Sequence, residues 1–212
     1  MKKAIKNFLM IYSAVLVLAM IAVSFLKMQQ MTLVKTNPNI FKPGSIELHY
    51  KFNQPLAYLH IVFGLIILIT GAYQFIPALR NKFRKLHKSV GKIFLFSSFI
   101  VSISAIILAL FFRYSNILES ISTLIFGLFI LYSTIKAYQY AKQKNFIAHK
   151  KWVTRVYFVS LSIGTIRIIA ALLMATSQFS LKDVLGISFL IAFCIHYVVV
   201  ELWIKYLNTV EA

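Results

Sequence analysis

Residues 86–112 read LHKSVGKIFLFSSFIVSISAIILALFF, and from Ile93 to Phe112 no ionisable side chain interrupts them. As a helix, those residues rise about 30 Å, the thickness of a bilayer's hydrocarbon core. Outward from this stretch, five others share its length and character, at about 7–26, 55–77, 117–141, 151–175 and 184–206. The composition agrees: 60% of the 212 residues are hydrophobic and 13% charged, more apolar surface than a soluble globule of this length can hide. The expected fold is an all-α integral membrane protein of about six transmembrane helices. A first helix occupies 1–27, an external loop 28–54, the core 55–175, and the last helix with its tail 176–212.

The net charge of +18 suggests nucleic acid only until the cations are placed. Lys2, Lys3 and Lys6, then Arg80, Lys82, Arg84, Lys85, Lys88 and Lys92, then Lys136, Lys142, Lys144, Lys150, Lys151 and Arg155, and finally Lys205, fall on one side of the six spans. Only Lys27, Lys35, Lys42, Lys51, Arg113 and Lys182 fall on the other, and Arg167 lies inside a span. Lys and Arg are retained on the cytoplasmic face. Both termini are therefore expected inside, with anionic lipid headgroups and not nucleic acid as the partners of the charge. The apolar run after Lys6 is longer than a signal peptide's 7 to 15 residues and reads as a helix. The single cysteine, Cys194, lies within the last span, which excludes an internal disulfide and a multi-cysteine metal site. The sequence carries no phosphate loop, nucleophile elbow, HExxH or paired intramembrane carboxylates.

An internal comparison suggests duplication. FGLIIL at 63–68 matches FGLFIL at 126–131, AYQF at 72–75 matches AYQY at 137–140, and LHK at 86–88 matches AHK at 148–150. Three blocks in one order predict a four-helix core of two repeated hairpins, helices 2–3 and 4–5, related by an axis along the membrane normal. His87 and His149 then occupy equivalent places, each at the inner entrance of an outward-running helix. Thr123 stands where a repeat partner of His60 belongs.

Ionisable groups are expensive within a bilayer, so those present are candidates for a site. His60 with Gly64, and His87 with Gly91, share the spacing His, three residues, Gly, which sets the glycine one helical turn from the imidazole. Such a gap suits a flat ligand such as a porphyrin; it equally suits a neighbouring helix. His60, Gly64, Gly71 and Gln74 form one stripe, and His149, Ser160, Gly164 and Arg167 another, and both are expected to face the bundle interior. His87 and His149 lie at one depth on diagonal helices, as axial ligands of a single haem iron would; as interfacial histidines among lysines they face lipid phosphates instead. Arg167 and His60 are nearly level and fit a haem propionate, a quinone carbonyl or another anion, or Arg167 binds backbone carbonyls. His196 reads as a single hydrogen-bonded group, and Glu201 as the i, i+4 partner of Lys205.

The succession HIVFGLIILITGAYQFIPALRNKFRKLHKSVGK, followed by FIAHKKWVTRVYFVSLSIGTIRI, resembles the bacterial membrane family catalogued as domain of unknown function 2306. His60, Gly64, Gln74, Phe75, Pro77, Arg80, His87, Gly91, His149, Trp152, Arg155 and Arg167 stand in that family's places, with Val153 where Met is frequent. The resemblance implies a multi-pass membrane protein and no particular activity. More distantly the core is similar to cytochrome b561 and related two-haem membrane cytochromes. That likeness implies haem b between helices 3 and 5, held by His87 and His149 beside Gly91, with His60, Gly64 and Arg167 at the other end. Thr123 departs from the pattern of a second haem. Three functions follow as expectations: a haem-dependent electron carrier or oxidoreductase working with a quinone or redox partner protein; a non-catalytic assembly partner with structural histidines; and a small-molecule or metal transporter. The last is disfavoured by the lack of buried acids and of broken helices.

Overall fold

The computed structural model describes residues 2–76 and 82–210, and the side chains of 10–76 and 82–206. Pro77 and Arg80 lie outside the described residues. The helices are α1 (Lys2–Thr36), the single turn α2 (Ile46–His49), α3 (Gln54–Gln74), α4 (Arg84–Phe111), α5 (Ile117–Lys142), α6 (Phe146–Ser160), α7 (Ser162–Thr176) and α8 (Leu181–Val210). No strand occurs among the described residues. Six stretches are long and apolar enough to cross a membrane, with 146–176 counted as one span built from α6 and α7. The protein is an all-helical, multi-pass membrane protein.

The first helix runs past its expected end at residue 27 to Thr36. Its added turns stay helical because they pack on α3. Met31 and Val34 are each 1% exposed, Gln54 Nε2 donates to the Met31 carbonyl at 2.5 Å, and Tyr58 Oη donates to the Met28 carbonyl at 3.0 Å. Asn37 then ends the helix, since the residue before Pro38 is driven out of the α region. The external connection shrinks to 37–53, here called the strap. Two three-residue 3₁₀ turns flank α2 within it, and Gly44 turns the chain at φ 77°, which glycine alone tolerates without strain.

Consecutive helices pack as neighbours: α3 on α4, α4 on α5, α5 on α6, and α7 on α8. The last helix also closes on α5 and α6, while α1 lies against α3 and α7. We call the end that holds residues 82–92 and 142–155 the basic end, and the end with the strap the far end. At the basic end the α5–α6 turn is tight. Lys144 adopts φ 58°, Asn145 N–H bonds to the Tyr140 carbonyl at 3.0 Å, and Asn145 Oδ1 caps α6 at Ala148 N–H. That is the left-handed stop that releases a helix end with its carbonyls satisfied.

The two hairpins expected as repeats follow one another, but matched positions take unlike surroundings. Gln74 is buried at 8% exposure whereas its counterpart Gln139 is exposed. A side chain at Gly64 would meet open space, whereas one at Gly127 would press on Ile106 at 3.3 Å.

The unexpected feature is a break. Span five, read from sequence as continuous, stops as helix at Ser160 and resumes at Ser162. Its residues SLSIG, 160–164, bring serines and a glycine together, a composition at which helices kink. Leu161 itself keeps right-handed helical backbone, φ −68° and ψ −14°, and its N–H still reaches the Tyr157 carbonyl at 3.1 Å, so the interruption is one residue long and the span is not unwound.

Candidate functional site

At the basic end the four-helix core is filled with aromatic rings. Phe94 of α4 and Tyr157 of α6 are 1% and 3% exposed and meet across the bundle with centroids 6.3 Å apart. Phe75 stacks on Tyr157 at 5.2 Å, and Phe158 adds an edge to both. Gly71 makes this possible, because a Cβ there would lie 2.2 Å from the Tyr157 ring. Tyr157 Oη donates to the Leu68 carbonyl at 3.4 Å. The glycine that packing demands is thus Gly71, and no His-xxx-Gly spacing marked it.

This ring contact fixes the depth of the candidate histidines. His87 lies seven residues before Phe94 and His149 eight before Tyr157, about 10.5 and 12 Å toward the basic end at the helical rise. The two imidazoles are therefore level to about one residue. Both are half-buried. His149 Nδ1 lies 2.8 Å from the Ala137 carbonyl of α5. A carbonyl only accepts, so Nδ1 carries a proton. Gly91 opens no gap for a ligand. The Gln74 amide sits 3.6 to 3.8 Å from where its Cβ would be, and Gln74 Nε2 donates to the His87 carbonyl at 3.3 Å.

Toward the far end the expected partners separate. His60 Nδ1 bonds Ser104 Oγ at 2.8 Å, and that hydroxyl donates to the Val101 carbonyl at 3.0 Å. Arg167 Nη1 donates to the Ile163 carbonyl of its own helix at 2.9 Å. No hydrogen bond joins His60 to Arg167 among the described residues. The break in span five also ends the expected stripe from His149 to Arg167: Gly164 faces α1, where its Cβ would stand 2.9 Å from Leu16.

His196 is hydrogen-bonded within the bundle as expected, but the partners it joins were missed, as were two further constellations. His196, 7% exposed, sets Nδ1 2.7 Å from the Phe158 carbonyl, the acceptor whose ordinary helical partner is the Ser162 N–H just beyond the break. Its Nε2 accepts from Thr165 Oγ1 at 2.8 Å, which accepts from Tyr12 Oη at 2.6 Å. Near the basic end, Glu201 pairs not with Lys205 but bidentately with Arg155, at 2.6 and 2.9 Å, while Trp152 stacks under the guanidinium at 4.4 Å. A planar fork matches a carboxylate better than a flexible i+4 ammonium does.

The third constellation is the strap. Lys27 Nζ holds Glu47 Oε1 at 2.7 Å, His49 Nε2 reaches the Phe112 carbonyl at 2.8 Å, and Tyr114 Oη donates to the Gly44 carbonyl at 3.3 Å. Burial alone would push the Glu47 carboxyl up, but the hydrogen bond from Lys27 and that ammonium's charge hold it below its ordinary value of 4.5. Tyr50 goes the other way. Burial pushes its phenol up, and Glu47, Glu119 and Tyr114 add to this against the pull of the Arg167 guanidinium, so Tyr50 is a neutral hydroxyl.

A family model described as Predicted membrane protein (DUF2306) matches residues 57–204. The chain belongs to that family. The DUF2306 match begins within α3 and ends within α8, so it takes in His60, His87, His149, Arg167 and His196 and leaves out α1 and the strap. None of the curated proteins and none of the solved structures compared with the chain matches it.

Proposed function

We propose that this DUF2306 protein is an electron carrier of a bacterial inner membrane that holds one b-type haem between His87 and His149, with its basic end and both termini in the cytoplasm. The observation that carries the reading is the His149 Nδ1 contact with the Ala137 carbonyl at 2.8 Å. Metal-ligating histidines commonly anchor the ring nitrogen that does not bind the metal on such a carbonyl. His87, on the face of α4 that carries Phe94, supplies a second imidazole at the same depth. The donor chemistry therefore fits the group, although Gly91 contributes no recess. His87 and His149 would hold the group, and it would supply one-electron transfer there. Of the chain's own residues, the Ala137 carbonyl fixes the His149 ring, Gln74 ties α3 to the start of α4, and the Phe94–Tyr157 contact sets the register of the two helices.

The Gln74 amide beside Gly91 favours a second reading, in which the histidines are packing groups and the protein is a non-catalytic partner in membrane assembly. A reduced-minus-oxidised visible spectrum of protein purified in mild detergent from haem-replete cells separates the two. The expected result is a pair of sharp low-spin b-type bands at about one haem per chain, lost in the double variant His87→Ala, His149→Ala while the protein still folds. A featureless spectrum from folded wild-type protein overturns the haem and leaves the assembly reading.

A further inference from the structure

At the start of α4, Lys82, Phe83, Arg84, Lys85 and Leu86 line an open surface recess of about 580 Å³. All five are exposed. The Lys82 ammonium lies over the Phe83 ring at 5.3 Å, and Phe83 and Leu86 keep 43% and 48% of their surface accessible. Three cations thus rim two apolar side chains. The described acids do not answer them: Glu47, Glu119 and Asp183 lie at the far end, and Glu201 is taken by Arg155.

Depth decides what can. The uncharged run of α4 begins at Ile93 and fills the hydrocarbon layer. Arg84 and Leu86 stand nine and seven residues before it, which at the helical rise puts them about 13.5 and 10.5 Å outside the hydrocarbon. The headgroup layer is only about 5–7 Å deep on each side. Lys88 and Lys92 lie close enough to meet lipid phosphates, but the recess stands in the water beyond them. An apolar floor rimmed by cations and held in water is the arrangement of a protein docking site.

We infer that this recess is the docking point of a soluble protein, which it takes through an acidic segment carrying an apolar side chain. Carboxylates meet Lys82, Arg84 and Lys85, and the apolar group covers Phe83 and Leu86. Arg84 offers a carboxylate two parallel N–H···O bonds, and opposite potentials speed encounter and set orientation. Docking there requires no haem: a redox partner and an assembly partner would bind alike.

The test is the fluorescence anisotropy of a labelled peptide, Glu-Glu-Phe repeated four times, titrated with the full chain in nanodiscs of neutral phosphatidylcholine. Saturable binding is expected. The triple variant Lys82→Gln, Arg84→Gln, Lys85→Gln should weaken it by about tenfold or more, and Phe83→Ser several-fold. Neutralising Lys142, Lys144 and Lys150, equally exposed at the same end, should weaken it by less than about threefold. Should the recess triple variant not fold, Arg84→Gln and Phe83→Ser still decide. No saturable binding overturns the docking point, and so do equal losses in the two triple variants, which would leave only diffuse attraction to a basic face. If the peptide fails to bind and the recess variant instead loses thermal stabilisation by phosphatidylglycerol in neutral detergent, the recess belongs to lipid headgroups. None of these substitutions touches His87 or His149, so the visible spectrum stays as in the wild type and the two proposals fail separately.

Discussion

Two glycines of α3 and α4 that look alike in the sequence are opposed in what they tolerate. A methyl at Gly71 would stand 2.2 Å from the Tyr157 ring, whereas one at Gly91 would meet Gln74 at ordinary contact distance. Gly71→Ala should destabilise the protein by about 1–3 kcal/mol, the usual cost of overpacking, and Gly91→Ala by well under about 1 kcal/mol. Equilibrium unfolding of both variants in the same detergent checks this, and equal losses would refute the assignment of Gly71 as the packing glycine. At this scale the sequence was informative about which side chains are unusual and poor at saying whom they meet. His60, His87, His149, Arg167 and His196 stood out because charge is rare in an apolar span. The partners of His60, His149 and His196 are backbone carbonyls or hydroxyls of other helices, and no spacing rule encodes a carbonyl. The Arg155–Glu201 pair was missed for a related reason: i, i+4 counting sees one helix, and the better partner lay on another.

Among the elements, the broken span is the most consequential. The carbonyl freed at the break is satisfied by His196 from α8, so α6, α7 and α8 are joined at one point deep in the apolar region. Removing that donor in His196→Ala should cost about 1–2 kcal/mol, since an orphaned carbonyl in hydrocarbon finds no water. Thr165→Val, which leaves the Phe158 carbonyl capped, should cost about half as much. Thermal or denaturant unfolding of the two variants gives the order, and a larger loss for the valine variant would show that the hydroxyl chain, not the cap, holds the break. The six spans themselves were legible because a helix in lipid must satisfy its own backbone and must be apolar over a fixed length. The break was not, because Ser160, Ser162 and Gly164 are ordinary residues in membrane helices, and the kink depends on a histidine more than thirty positions away. The prolongation of α1 to Thr36 escaped for the converse reason: Gln29, Gln30 and Lys35 look like a loop by polarity but are good helix formers held by α3.

Taken whole, the molecule has a basic end with candidate iron ligands and a far end with a strap tied to Lys27, Phe112 and Tyr114. The overall class, the number of spans and their antiparallel order followed from hydropathy and short connections. The sidedness of the chain is best tested at this scale. In a Cys194→Ala background, a cysteine at Lys144 should react with a membrane-impermeant thiol reagent only after the cells are opened, and one at Pro43 should react in intact cells. The reverse pattern would invert the topology and move the candidate iron site to the other face. The strap, finally, bears on biosynthesis. Its anchors are Lys27 behind it in the chain and Phe112 and Tyr114 ahead of it, so it settles only after the third span has left the ribosome. Until then the nascent chain carries residues 37–53 tied at most to Lys27.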